Sequence, residues 1–162
     1  MFILSPQSAD HIFWCGDLNY RVDFGNPDRT GNPYEFERVV KLATQSITDG
    51  MLSLEPLIAG DQLKREMSAH RVFCGFEEAP VLFRPTYRME KGRDAYNNKK
   101  FQNPSWTDRI LYKSAAGLKA DVAVLNYTGV YDIWVSDHRP GIYLFISLDR
   151  MTEYFTIFNA NN

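Results

Sequence analysis

The stretch FWCGDLNYR, Phe13 to Arg21, decides how this chain is read. His11 to Trp14 is a short apolar run that passes straight into Gly16-Asp17, which predicts a buried strand with Asp17 at its C-terminal end. Layered α/β folds keep reactive side chains at such strand ends. Asn19 follows two residues later, so in a loop leaving the strand both side chains converge on one ligand. The carboxylate can orient or deprotonate a water, and the amide can donate to an oxygen on which charge builds. The same Gly-Asp-x-Asn pattern also fits an Asx-type turn with no chemical duty.

Working outward, residues Asp23 to Asn32 are rich in Gly, Asn, Pro and Asp and read as a loop. Asn32-Pro33-Tyr34-Glu35 then supplies an N-cap, a proline at N1 and a glutamate at N3, which together predict a helix start. Phe36, Val39, Val40, Ala43 and Ile47 follow at helical spacing and predict one buried face. Gly60-Asp61 opens a second predicted helix through Ala69, with Leu63 and Met67 inward. Val81 to Phe83 reads as a strand, Arg84 to Arg88 as a proline-broken segment, and the polar stretch to Asn103 as loop. Arg109 to Tyr112, Ala120 to Tyr127 and Gly141 to Leu148 read as further strands. Early helices and mostly late strands predict an α+β layered sandwich, with helices covering one face of a sheet.

The chain has 162 residues, 44% of them hydrophobic, and a formal net charge of -2. That balance argues against broad nucleic-acid binding, because phosphate contacts demand a basic surface. No apolar run reaches the roughly 18 residues of a membrane span, and MFILSPQSAD lacks the pattern of a signal peptide. Cys15 and Cys74 lack metal-ligand spacing and are expected to be free thiols, as in a reducing compartment. The expected location is therefore cytoplasmic.

A second constellation is Ser136-Asp137-His138-Arg139-Pro140, where an acid and an imidazole stand just before a strand. This suits a metal-linked carboxylate beside a histidine that contacts phosphate or moves a proton. The plainer alternative is a turn aspartate next to an exposed histidine. A histidine that works needs a partner on its other ring nitrogen, and Asp108 on a neighbouring strand is paired with His138 on that ground. His11 and His70 have no chemical company and are expected to be surface or structural. Arg84 to Lys113 carries eight basic residues against three acidic ones. Such a run is either a solvated face or a recognition patch for a phosphorylated ligand, and its place between the two constellations favours the patch.

In order, GDLNYR (Gly16 to Arg21), GFEEAPVLFRPTYR (Gly75 to Arg88), PSWTDRILY (Pro104 to Tyr112) and SDHRP resemble the second half of the inositol polyphosphate 5-phosphatase catalytic domain, within the DNase I-like superfamily. The resemblance implies a DNase I-like sandwich, here its C-terminal half, with residues 1–162 forming a partial catalytic domain. It implies Asp17 as the residue activating water and Asn19 as a ligand of the scissile phosphate. His138 would stabilise the transferring phosphoryl group with Asp108 behind it, and Asp137 would lie at the Mg²⁺ site. Tyr87, Arg88 and Lys100 match positions that grip the adjacent 4-phosphate. The implied reaction is Mg²⁺-dependent removal of the 5-phosphate from an inositol polyphosphate or phosphoinositide substrate, with peripheral membrane contact in the lipid case.

Departures from the family pattern are Arg88 for a usual lysine, Gln102 for a basic residue, Thr107 for a frequent cysteine and Gly141 for a valine. In the family, the first half of the domain supplies the glutamate that binds Mg²⁺. The chain is accordingly expected to need a missing N-terminal half and to be weakly active or inactive alone. The alternative is an inactive remnant that binds phosphoinositide head groups or a partner protein through Arg84 to Lys100. A nuclease of the same superfamily is the least favoured reading, given the acidic balance.

Overall fold

The computed structural model describes residues 9–25 and 31–147 and, as backbone, the strand Thr152–Phe158. The segment 1–8, the loop positions 26–30 and the predicted strand end Leu148 lie outside the described residues.

Strand β1 (His11–Asp17) pairs antiparallel with β2 (Asp108–Ser114), in a register that sets Asp17 opposite Asp108. Strands β3 (Val122–Gly129), β4 (Gly141–Ser147) and β5 (Thr152–Phe158) form a second antiparallel sheet in the order β3-β4-β5. Along β4 the residues Gly141, Tyr143, Phe145 and Ser147 are buried and alternate with half-buried Ile142, Leu144 and Ile146. This is the period of two that puts one side of a strand on a core. The two sheets meet through aromatic rings: Phe13 stacks on Phe145 at 4.2 Å between centroids, and Tyr112 lies 6.3 Å from Tyr143. Such faces bury large apolar area in few residues.

Helix α1 (Pro33–Gln45) starts as predicted, because the Asn32 side chain accepts from the amides of Tyr34 and Glu35. Phe36, Val39 and Ala43 are buried, whereas Ile47 lies past the helix end and is exposed. A short helix α2 (Glu55–Ala59), absent from the sequence reading, precedes α3 (Gln62–Ser68). Asp61 caps α3 by accepting from the Lys64 amide, and Leu63 is buried while Met67 is half-buried. Among the described residues no helix is long and apolar enough to cross a membrane.

Three expectations are corrected. β1 is not buried: Trp14 is 52% exposed and Cys15 is exposed, and among the described residues β1 has one neighbouring strand, β2. Val81 to Phe83 keeps the alternation, with Val81 and Phe83 buried and Leu82 exposed, but forms no strand. Pro80 and Pro85 each remove an amide donor that a ladder would need. Finally, Arg109 is no part of a ligand-binding patch. It is fully buried, donating to Asp61 at 2.8 Å and to Glu78 at 2.7 Å, and so ties β2 to the cap of α3. Burial opposes its charge, but the two carboxylates outweigh that and hold the guanidinium above its usual range.

Candidate active site

Four loops converge on one end of the β1–β2 pair. Leu18 donates its amide to the Thr107 carbonyl at 2.8 Å, which fastens the loop after β1 to the residue before Asp108. Tyr87 and Ser105 exchange backbone hydrogen bonds of 3.0 and 2.6 Å, which draws the PTYR segment alongside. The Arg139 amide donates to the Thr86 carbonyl, and the Met89 amide to the Asp137 carbonyl, so the SDHRP segment joins the same cluster. Arg139 is itself buried and spends its guanidinium on the carbonyls of Ser136, Glu90 and Arg93. Trp106, by contrast, is a core residue whose indole donates to the Phe83 carbonyl.

At the centre, His138 Nδ1 lies 2.6 Å from Asp108 Oδ2. The pairing expected from the sequence is therefore present. Thr107 donates its hydroxyl to the same Asp108 oxygen at 2.9 Å, a role that its resemblance to a cysteine position did not disclose. Asp108 Oδ1 is buried with no hydrogen-bond partner among the described residues. His138 is half-buried, and burial favours its neutral form. The hydrogen bond and charge of Asp108, with the charges of Asp17 and Asp137, outweigh this and hold its pKa above the ordinary 6.5. The exposed-histidine alternative does not hold.

Asp17 and Asn19 are exposed at the mouth of this cluster. The Asn19 amide donates to Asp17 Oδ1 at 2.9 Å, so the Asx-type turn is real, and Asn19 takes a left-handed φ of 57°. Turn and ligand roles are compatible, because the bond occupies one carboxylate oxygen and no side-chain amide donor. Tyr87 packs its ring 4.4 Å from that of His138, tilted by 41°. Arg88 Nε donates to Asp137 Oδ2 at 3.2 Å, which brings two expected site residues together as an ion pair. Lys100 stands apart: its side chain is exposed on the turn after the Arg88–Asn97 backbone contact, with no described hydrogen bond or ion pair to the cluster.

The basic run is thus largely spent inside the molecule. Arg84 holds Asp94 and Arg93 holds Glu90, in addition to the Arg109 and Arg88 pairs. Lys91, Lys99 and Lys100 remain exposed on it. Among the described residues no three ligand-type side chains gather so as to hold a metal ion, and Asp137 already accepts from Arg88. The residues described do not by themselves fit a complete Mg²⁺ site.

The profile of the Endonuclease/Exonuclease/phosphatase family 2 matches residues 3–143. Rat phosphatidylinositol polyphosphate 5-phosphatase type IV is 37% identical over 137 residues, covering 84% of this chain and 19% of that protein. Human synaptojanin-1 is 41% identical over 161 residues, covering 85% of this chain and 9% of that protein. The chain thus spans a fifth or less of the length of these relatives. Among solved structures, the inositol polyphosphate 5-phosphatase domain of SPsynaptojanin, in complex with inositol (1,4)-bisphosphate and calcium ion, is 32% identical with a TM-score of 0.65, covering 93% of this chain and 36% of that one. A Cimex nitrophorin in its ferrous NO complex is 33% identical with a TM-score of 0.66, covering 87% of this chain and 43% of that one. This chain shares its fold with both of these differently described proteins, so function has to be argued from the site.

Proposed function

This chain belongs to the Endonuclease/Exonuclease/phosphatase family 2, and on that premise we propose that it forms part of a catalytic domain that removes the 5-phosphate from inositol polyphosphates or phosphoinositides. The observation that carries the reading is the 2.6 Å contact of His138 with Asp108, whose Cα partner across the ladder is Asp17. The Asp17 carboxylate and the His138 imidazole thus stand at the same end of the β1–β2 pair, close enough for the Asp17 charge to act on the ring.

In this reading His138 turns Nδ1 to Asp108 and presents Nε2 to the phosphoryl oxygens, and its raised pKa favours the donating, protonated form. Asp17 orients and deprotonates the attacking water, whose oxygen bonds to phosphorus as the bond to the inositol oxygen breaks. Asn19 donates to a phosphoryl oxygen from its amide. Tyr87 and Arg88 meet the adjacent 4-phosphate, and Lys100 would reach it from the neighbouring turn. A bound Mg²⁺ would neutralise charge on the phosphoryl oxygens, and Asp137 would contribute to holding it together with further donors. The domain works in the cytoplasm, peripherally at membranes when the substrate is a lipid.

The test is to incubate the native protein that carries this chain with inositol 1,4,5-trisphosphate and Mg²⁺ and to resolve the products by anion-exchange chromatography. Inositol 1,4-bisphosphate is the product expected. No phosphate release, or release from another position, would contradict the assignment.

A further inference from the structure

Arg21 has no part in the roles above, yet it lies between two of the residues that do. One guanidinium nitrogen, Nη2, donates to Asn19 Oδ1. The guanidinium carbon stands 4.5 Å from the centroid of the Tyr87 ring, within cation–π range. Tyr87 in turn packs its ring against that of His138, tilted by 41°. The result is a continuous series from Asn19 through Arg21 and Tyr87 to His138, joining the loop after β1 to the loop before β4.

We propose that Arg21 is the positioning residue of this site, holding Asn19 so that its amide Nδ2 rather than its carbonyl oxygen faces the phosphoryl group. A carbonyl oxygen engaged by a guanidinium cannot exchange places with the NH₂ without setting donor against donor. The identity of the phosphoryl ligand rests on the phosphatase reading; the orientation of Asn19 does not.

Two further observations support a dedicated role. Arg21 Nη1 is buried with no hydrogen-bond partner among the described residues, so protein hydrogen bonds alone do not account for the placement of this guanidinium. The Arg21 backbone is clamped on both sides by Gln62, which accepts from its amide at 3.0 Å and donates to its carbonyl at 2.9 Å. Changing the side chain therefore leaves the chain path anchored. Lysine cannot substitute, since one ammonium does not provide both a planar stack and a forked donor.

The experiment uses the native protein that carries this chain, titrated calorimetrically with inositol 1,4,5-trisphosphate with calcium in place of magnesium. Arg21→Met, Arg21→Lys and Asn19→Ala are each expected to weaken binding about tenfold. The Arg21→Met/Asn19→Ala double variant is expected to bind no more weakly than Asn19→Ala, because Arg21 acts through Asn19. Additive losses, or full binding by Arg21→Lys, would overturn the proposal. A ligand-free measurement separates it from the phosphatase reading: the side-chain NH₂ resonance of Asn19, assigned by its absence in Asn19→Asp, should shift in Arg21→Met. An unmoved resonance overturns the positioning role whatever the ligand does. A moved resonance with no binding by the unaltered native protein sustains Arg21 and counts against the phosphatase reading.

Discussion

His138 and Asp108 lie 30 residues apart in sequence, yet their side chains meet at 2.6 Å, linking the loop before β4 to the first residue of β2 in the other sheet. The contact fixes which ring nitrogen is left for a ligand, and it makes the histidine's charge depend on the carboxylate.

A pH dependence follows. His138 is held above its ordinary 6.5 in the folded chain, by Asp108 first among the charged groups and against the opposing effect of burial. A histidine whose folded pKa exceeds its unfolded value stabilises the fold below the unfolded pKa, and this contribution is lost as pH rises through the folded one. An NMR titration of His138 should give a midpoint above 6.5, and Asp108→Asn should lower it. The same variant should lose the extra stability that the unaltered chain shows at about pH 6 relative to about pH 8. A midpoint at or below 6.5 in the unaltered chain would contradict the pairing.

Arg109 is expected to be the most sensitive charged residue of the fold. Replacing it by Met leaves Asp61 and Glu78 buried without their shared cation, which should cost about 3–5 kcal/mol in urea unfolding. A loss below about 1 kcal/mol would show the triad to be solvated in solution.

Gly141 offers the opposite sign. It opens β4 opposite Gly129 and Phe158, and a Cβ built on it meets no atom of the described residues within 4 Å. Gly141→Ala should therefore stabilise the chain by about 0.5–1 kcal/mol, read as a shift of the urea midpoint. Destabilisation would mean that the space above the strand is filled.

Local chemistry is what the sequence made legible. The Asn32 cap, the strand end at Asp17 and the segment SDHRP each depend on neighbours a few residues away, and each stands where it was read. The Asp108–His138 pair was also foreseen, because a working imidazole requires a partner of that type. What escaped depends on distant partners. Arg84, Arg88 and Arg109 looked like one basic surface, but their carboxylates come from Asp94, Asp137 and the Asp61–Glu78 pair. α2 has only five residues, too few to display a helical period. Thr107 and Arg21 stand inside motifs that the sequence displays, but their roles did not show there, since each acts by orienting a residue that was already conspicuous.

The central claim is that Asp17 and His138 act on one phosphate. The most direct measurement is the rate of inorganic phosphate release from inositol 1,4,5-trisphosphate by the native protein that carries this chain, beside its Asp17→Ala and His138→Ala variants. Each variant is expected to lose at least about 100-fold in turnover with the fold intact by circular dichroism. Turnover within a few-fold of the unaltered protein in either variant would contradict the account.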